Sequence, residues 1–320
     1  MPQEKFKILI LGFAGGLARL TAQLILDRYP HCYIIGVDSR PCTDFFHHPR
    51  LETQQIRYSR SHFEALFHQH QFQTVFHLGR ISHALSSTSA IRRRVALNLI
   101  GTKTIMDLCL KSQTQKLIIM STFHVYGALH DNPVFLTEHA PLRASIDFPD
   151  LHDVVEMDQM CQNWMWENQE QVSAVIFRPC NIIGANILNA ITKFLLNHKG
   201  FHPMDYNPQF QFIHEYDMAN ILALSLEKVP MGIYNIAPSD YIDLKKAREI
   251  IHGSSYPLPI SLLGLTNHWL NQLNLGLPPY LIDYLKYSCL IDNKKIRSIL
   301  GDQLTKHSIA HSLELLRLAL

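Results

Sequence analysis

The chain has 320 residues, 47% of them apolar and 18% charged, which allows one large core or two lobes and excludes a disordered chain. A formal net charge of +2 gives no field of the kind that nucleic-acid binding needs, and no apolar run reaches the ~18 residues of a membrane span. Six cysteines without a CxxC pair, several inside apolar runs, point to buried reduced thiols in a cytoplasmic protein.

The run from Ile8 to Leu11 is apolar and too short for a signal peptide. It breaks at Gly12, and apolar residues then recur at helical spacing through Leu17, Leu20, Leu24 and Ile25. This predicts a buried strand, a tight glycine turn and a helix whose N-terminus faces back at the turn. The segment Gly12-Phe13-Ala14-Gly15-Gly16-Leu17-Ala18 is the candidate pyrophosphate site, because glycines let the backbone bend and approach a phosphate. A second strand, Tyr33 to Val37, ends in Asp38, whose carboxylate suits the adenosine ribose of NAD. Arg40, two residues on, is the alternative partner, for the 2′-phosphate of NADP, which is the less favoured cofactor.

A third strand is expected at Gln55 to Ser59 and a helix near Ser61 to His70. A fourth strand follows at Thr74 to Leu78, ending at Gly79-Arg80. A long helix is expected over Thr88 to Ser112, with Arg92 to Arg94 as its solvated face, then a fifth strand at Lys116 to Ser121. After a polar loop, a helix from about His152 to Asn168 leads to a sixth strand, Val172 to Arg178. This alternation predicts an α/β doubly wound parallel sheet of Rossmann-like type. The expected domains are a dinucleotide-binding one at 1–178, with 210–237 returning to it, and a mainly substrate-binding lobe at 179–320. His47-His48 and His68-Gln69-His70 lack carboxylate or cysteine partners at ligand spacing, so no metal is expected. The stretch from Leu258 to Tyr280 carries no Asp, Glu, Lys or Arg. It is expected to pack as a helix in the second lobe, with a homodimer contact or a substrate lid as the alternatives.

The motifs resemble those of the extended short-chain dehydrogenase/reductases, the nucleotide-sugar epimerase/dehydratase family, over nearly the whole chain. Gly12, Gly15 and Ala18 are similar to its GxxGxxG. The segment HLGR at 77–80 is similar to HLAA, and Asn98 with Gly101-Thr102 to NxxGT. Ser121-Thr122 with Val125-Tyr126-Gly127 resembles SSxxVYG, which implies Thr122 at the catalytic Ser/Thr. Thr137-Glu138 and Pro141-Leu142 fit the following loop. Arg178-Pro179-Cys180-Asn181 resembles RPxN, and Phe212 to Ala219 resembles FvHVdDvA. Tyr234-Asn235-Ile236 and Asp292 to Gly301 resemble two later elements. The resemblance implies NAD contacts at the glycine turn, Asp38, Leu78, Gly79, Arg80, Asn98, Glu156 and Arg178, and substrate contacts at Asn181 and His214. It also implies a small-molecule substrate of nucleotide-sugar type.

One departure dominates. The family's chemistry rests on a YxxxK pair, yet no tyrosine occurs from Gly127 to Asp205 and no lysine from Leu117 to Thr192. Family spacing back from Arg178 puts His152 at the Tyr position and Glu156 at the Lys position, with Val154 and Asp158 as the competing register. A tyrosine ionises near pH ~10, so the family's lysine and cofactor charge must lower its pKa. A carboxylate would act in the opposite direction. An imidazole titrates near neutral pH, which makes His152 and His124 the candidate bases beside Thr122. Two function classes follow: an epimerase/dehydratase-type enzyme with altered acid–base residues, and a non-catalytic NAD-binding sensor or scaffold.

Overall fold

The computed structural model describes residues 6–42, 46–79, 88–187, 189–197, 201–252, 255–260 and 279–319. Residues 261–278, which make up most of the uncharged stretch 258–280, and Arg80 therefore lie outside the described residues. In chain order the first elements are strand β1 (Phe6–Leu11), helix α1 (Gly16–Arg28), strands β2 (Cys32–Asp38) and β3 (Leu51–Gln55), helix α2 (Arg60–Gln69) and strand β4 (Thr74–His77). Helices α3 (Thr88–Val95) and α4 (Thr102–Lys111) precede strand β5 (Lys116–Met120). After α5 (Ala144–Asp147) and α6 (His152–Glu167) come strands β6 (Ser173–Pro179) and β7 (Asn181–Ile183). Helix α7 (Ala190–Leu196), strands β8 (Phe201–Pro203), β9 (Gln209–Phe210) and β10 (Phe212–His214), and helix α8 (Glu215–Leu224) follow. The chain continues with β11 (Gly232–Ile236), β12 (Ile242–Asp243), α9 (Leu244–His252), β13 (Tyr256–Leu258) and helices at Pro279–Tyr284, Lys294–Leu300 and Ile309–Leu318.

Seven strands form one sheet in the order β11-β6-β5-β4-β1-β2-β3, and the pairings from β3 through β6 are all parallel. The central strands read as continuous apolar runs because helices cover both faces. Leu9 and Leu11 of β1 point to one face, into a buried cluster with Phe63 of α2, Ile105 of α4 and Met157 of α6. Ile8 and Ile10, out of phase with them, are equally buried toward the other face.

Two local expectations change. The third strand runs Leu51–Gln55 rather than 55–59, paired residue for residue with Ile34–Asp38. It is an edge strand of polar sequence, LETQQ, so its apolar alternation is too weak to mark it. The expected helix 88–112 is interrupted by a π-helical segment, Ala96–Gly101. A Cβ on Gly101 would come within 2.6 Å of the Tyr58 ring, so this glycine lets the half-buried tyrosine pack against the helix.

The chain divides into two compact units. One comprises residues 1–121, 156–178 and 219–234, the other 122–155, 179–218 and 235–320. The first holds most of the large sheet. The second holds three short strand pairs, β7 with β10, β9 with β12, and β8 with β13. Its motif residues knit it together. Tyr126 donates its hydroxyl to Asn235 Oδ1 at 2.8 Å, and Asn235 donates its side-chain amide to Leu136 O and its backbone N–H to Glu138. All six cysteines are free thiols. No described helix is long and apolar enough to cross a membrane.

Candidate functional site

In the first unit, β1 lies between β4 and β2, so the connections leaving β1 and β4 diverge and open a crevice beyond their carboxyl ends. Gly12 stands at that point with φ +84°, a conformation that favours glycine. A Cβ added to it would lie 2.6 Å from both Cα and N of Gly79, at the end of β4. The two backbones touch, and no side chain intrudes on the crevice from either position. The Gly12 and Phe13 N–H groups donate to Val37 O at 2.9 and 3.1 Å, and the Gly15 N–H to Gly12 O at 3.0 Å. The Phe13 side chain turns into the core over Gly36, where any Cβ would overlap its ring. Phe13 can therefore offer a ligand only its backbone. Helix α1 begins at Gly16 with no side-chain cap and no acidic residue in its first turn, so its amide end stays positive and open near Leu17 and Ala18.

Asp38 ends β2 almost fully buried. Its Oδ2 accepts the Ala14 N–H at 3.0 Å and Arg40 Nη2 at 3.1 Å, while Oδ1 accepts the Arg40 N–H at 2.9 Å and Nε at 3.2 Å. Burial pushes this carboxyl up, but the Arg40 bonds outweigh it and hold the group below its usual range. The Leu78 N–H donates to Leu11 O at 3.1 Å, locking β4 to β1 at the crevice. Asn98 lies buried on the π-helical segment. Just before Leu78, His77 Nε2 bonds Thr102 Oγ1 at 2.8 Å in the core, joining the HLGR and NxxGT segments. Burial pushes the His77 pKa down to about 4, so the ring is neutral.

Arg178 and Asp158 form a fully buried ion pair. Arg178 Nη2 lies 2.6 Å from Asp158 Oδ1 and Nε 3.0 Å from Oδ2. Gln162 donates to Oδ1 at 2.8 Å and the Ser121 hydroxyl bonds Oδ2. The network ties the carboxyl ends of β5 and β6 to α6. The sequence reading places Asp158 only as a competing Lys-position residue and Arg178 as an implied NAD contact, not the two as partners of one another. Val154, its partner in that register, is fully buried. His152 and Glu156 are one turn apart on the exposed side of α6, and Glu156 lines a groove of about 430 Å³ with Lys103, Met106 and Asp107 of α4.

In the second unit, Thr122 is buried and its Oγ1 accepts the His124 N–H at 3.4 Å, capping a short 3₁₀ turn over Phe123–Tyr126. The His124 ring meets Tyr284 and Tyr280 edge to face at 4.8 and 5.4 Å between centroids. Neither tyrosine could be assigned to this neighbourhood from its position in the chain. Asn181 and His214 lie on the paired strands β7 and β10. The Asn181 amide donates to Gln211 O at 3.3 Å. His214 Nδ1 accepts the Tyr216 N–H at 3.2 Å and its ring packs on His307 at 4.7 Å. Burial, then the His307 charge, pushes the His214 pKa down to about 4. Among the described residues no cluster of His, Cys, Asp or Glu could hold a metal ion.

Among solved structures, the chain is similar to the UDP-glucose 4-epimerase of Thermotoga maritima with UDP-glucose, at 17% identity and TM-score 0.75 over 98% of both chains. It is similar to the dTDP-glucose 4,6-dehydratase of Bacillus anthracis in complex with NAD, at 18% identity and TM-score 0.75 over 98% of this chain and 96% of that one. Among curated proteins, it is 23% identical to uncharacterized proteins of Mycobacterium bovis and Mycobacterium tuberculosis over 94% of its own length and 81% of theirs. The profile of the NAD dependent epimerase/dehydratase family matches residues 8–237, and the chain belongs to that family.

Proposed function

We propose that the chain binds NAD over the carboxyl ends of β1 and β4. It would act on a nucleotide-sugar-type substrate with an acid–base group other than the family's tyrosine–lysine pair. The observation that carries this reading is the bare Gly12–Gly79 contact beside the uncapped start of α1 and the buried Asp38 carboxylate. These residues fit the dinucleotide: the amide end of α1 would attract its diphosphate, and the Asp38 carboxylate would accept its adenosine ribose hydroxyls in exchange for the Arg40 side-chain bonds. When bound, NAD supplies the acceptor for a substrate hydride. The related dehydratase with bound NAD and the epimerase with bound UDP-glucose support the same choice of ligands.

For the proton, Thr122 is the candidate donor and acceptor to a substrate hydroxyl. Its oxygen already accepts the His124 N–H, which leaves its O–H to donate. His124 and His152 are the candidate bases. A second reading, an NAD-binding sensor or scaffold without catalysis, is favoured by one observation on α6. Val154 is in the core, Asp158 is committed to Arg178 and Ser121, and Glu156 lines the α4 groove.

The test follows conversion of UDP- and dTDP-linked sugars by chromatography of the products, because a redox-neutral cycle leaves no net NADH, for the wild type, His124→Phe and His152→Phe, with NAD affinity measured alongside. The proposal expects turnover that falls by about 10²–10⁴ in one variant while NAD affinity holds. Turnover insensitive to both variants overturns the histidine assignment. Bound NAD with no turnover on the panel supports the sensor reading.

A further inference from the structure

We propose that Tyr280 and Tyr284 are positioning residues that set the imidazole of His124 for work beside Thr122. The inference rests on the acid–base reading above and deepens it. Of the two candidate histidines it assigns the base role to His124, and it adds two tyrosines that none of the sequence motifs contains. Thr122, His124, Tyr280 and Tyr284 all belong to the second unit. Thr122 caps the 3₁₀ turn Phe123–Tyr126, and its Oγ1 accepts the His124 N–H, so the proton donor and the base share one turn. So short a turn does not by itself select a side-chain rotamer, and an imidazole on it has several staggered positions to choose from.

Three rings remove that freedom. The Phe123 ring lies 4.2 Å from the His124 ring between centroids, tilted by 35°. Tyr284 meets the imidazole at 4.8 Å and 82°, and Tyr280 at 5.4 Å and 80°. The two tyrosines stand at 89° to each other, 6.4 Å apart. Three planes near right angles leave the imidazole little room to turn about either of its side-chain torsions. The walls are themselves fixed. Tyr280 and Tyr284 are four residues apart on the helix Pro279–Tyr284, a spacing that presents both rings on one side. Both are buried. Tyr284 also meets the Phe123 ring at 5.7 Å and 81°, and the Cys289 thiol lies beside its hydroxyl. His124 is only half-buried, so its ring stays accessible to a substrate. A right-angled aromatic pair favours one ring orientation by about two- to tenfold. A base already held in its reactive orientation keeps that factor in the transition state.

The test compares the wild type with Tyr280→Leu, Tyr280→Phe, Tyr284→Leu and Tyr284→Phe, with thermal melts confirming the fold of each. Product chromatography follows the conversion of UDP- and dTDP-linked sugars. NMR follows the His124 ring protons, assigned through His124→Phe. Each leucine variant removes a ring-current source and is expected to shift the His124 ring resonances. It is also expected to lower kcat by about two- to tenfold while KM and NAD affinity hold. The phenylalanine variants keep the ring and are expected to recover most of kcat, a rescue that loss of general packing would not single out. If Tyr284→Leu does not fold, Tyr280→Leu and the two phenylalanine variants make the same comparison. Wild-type turnover that no leucine variant lowers overturns the positioning role and leaves the enzymatic reading intact. So does a loss of kcat that phenylalanine does not recover. His124 resonances unmoved in the leucine variants overturn the positioning role whether or not turnover is seen. Bound NAD with no turnover by the wild type overturns the enzymatic reading and the base role of His124 together.

Discussion

Gly12 and Gly79 meet backbone to backbone: a Cβ on Gly12 would lie 2.6 Å from Gly79 Cα, whereas one on Gly79 would lie 3.2 Å from Gly12 N. The asymmetry predicts graded effects. Gly12→Ala combines a steric overlap with a positive φ that L-residues resist, so it should cost about 2 kcal/mol or more. Gly79→Ala needs only a shift of a few tenths of an ångström and should cost about 1 kcal/mol. Urea unfolding of the two variants checks the order, and equal losses would contradict this account of the turn.

The buried Asp158–Arg178 pair yields a prediction on stability. Asp158→Asn keeps the shape but leaves the Arg178 guanidinium buried without its counter-charge, which should cost about 3–5 kcal/mol. Replacing both residues with apolar ones of similar volume should cost less than either single change, because no orphan charge remains. A double-mutant cycle by chemical denaturation measures it. A loss below about 1 kcal/mol for Asp158→Asn would show that the pair does not hold β5, β6 and α6 together.

His77 predicts an acid-side weakness. Its pKa is 6.5 in the unfolded chain and about 4 when folded, so the unfolded state takes up the proton first as pH falls. Stability should be complete above pH 6.5, and decline by at most about 1.4 kcal/mol per pH unit from this residue until about pH 4. His214, also pushed down to about 4, adds to the decline in the same window. Denaturation at pH 7 and pH 5 should show a smaller acid loss for His77→Gln than for the wild type. Equal losses would remove His77 as a source.

The strand–turn–helix at β1 and α1, the acidic end of β2 and the parallel sheet were legible because apolar runs, glycines and helical periods are local signals. Edge strand β3 was misplaced because a half-exposed strand keeps little alternation. Several family-like motifs prove to be partners of one another: His77 with Thr102, Tyr126 with Asn235, and Arg178 with Asp158. Each pair joins residues far apart in the chain, and spacing along one sequence does not encode such contacts. The cover of Arg40 over Asp38 was invisible for a different reason. Two residues apart, they could pair or diverge, and only the backbone after β2 decides.

The most direct test of the central claim is calorimetric titration of NAD into the folded wild-type chain. The Gly12–Gly79 cradle and the open end of α1 predict saturable binding of one NAD per chain, with a matching rise in melting temperature. Absence of both heat and thermal shift at millimolar NAD, with the protein folded, would contradict the dinucleotide site on which the proposed function rests.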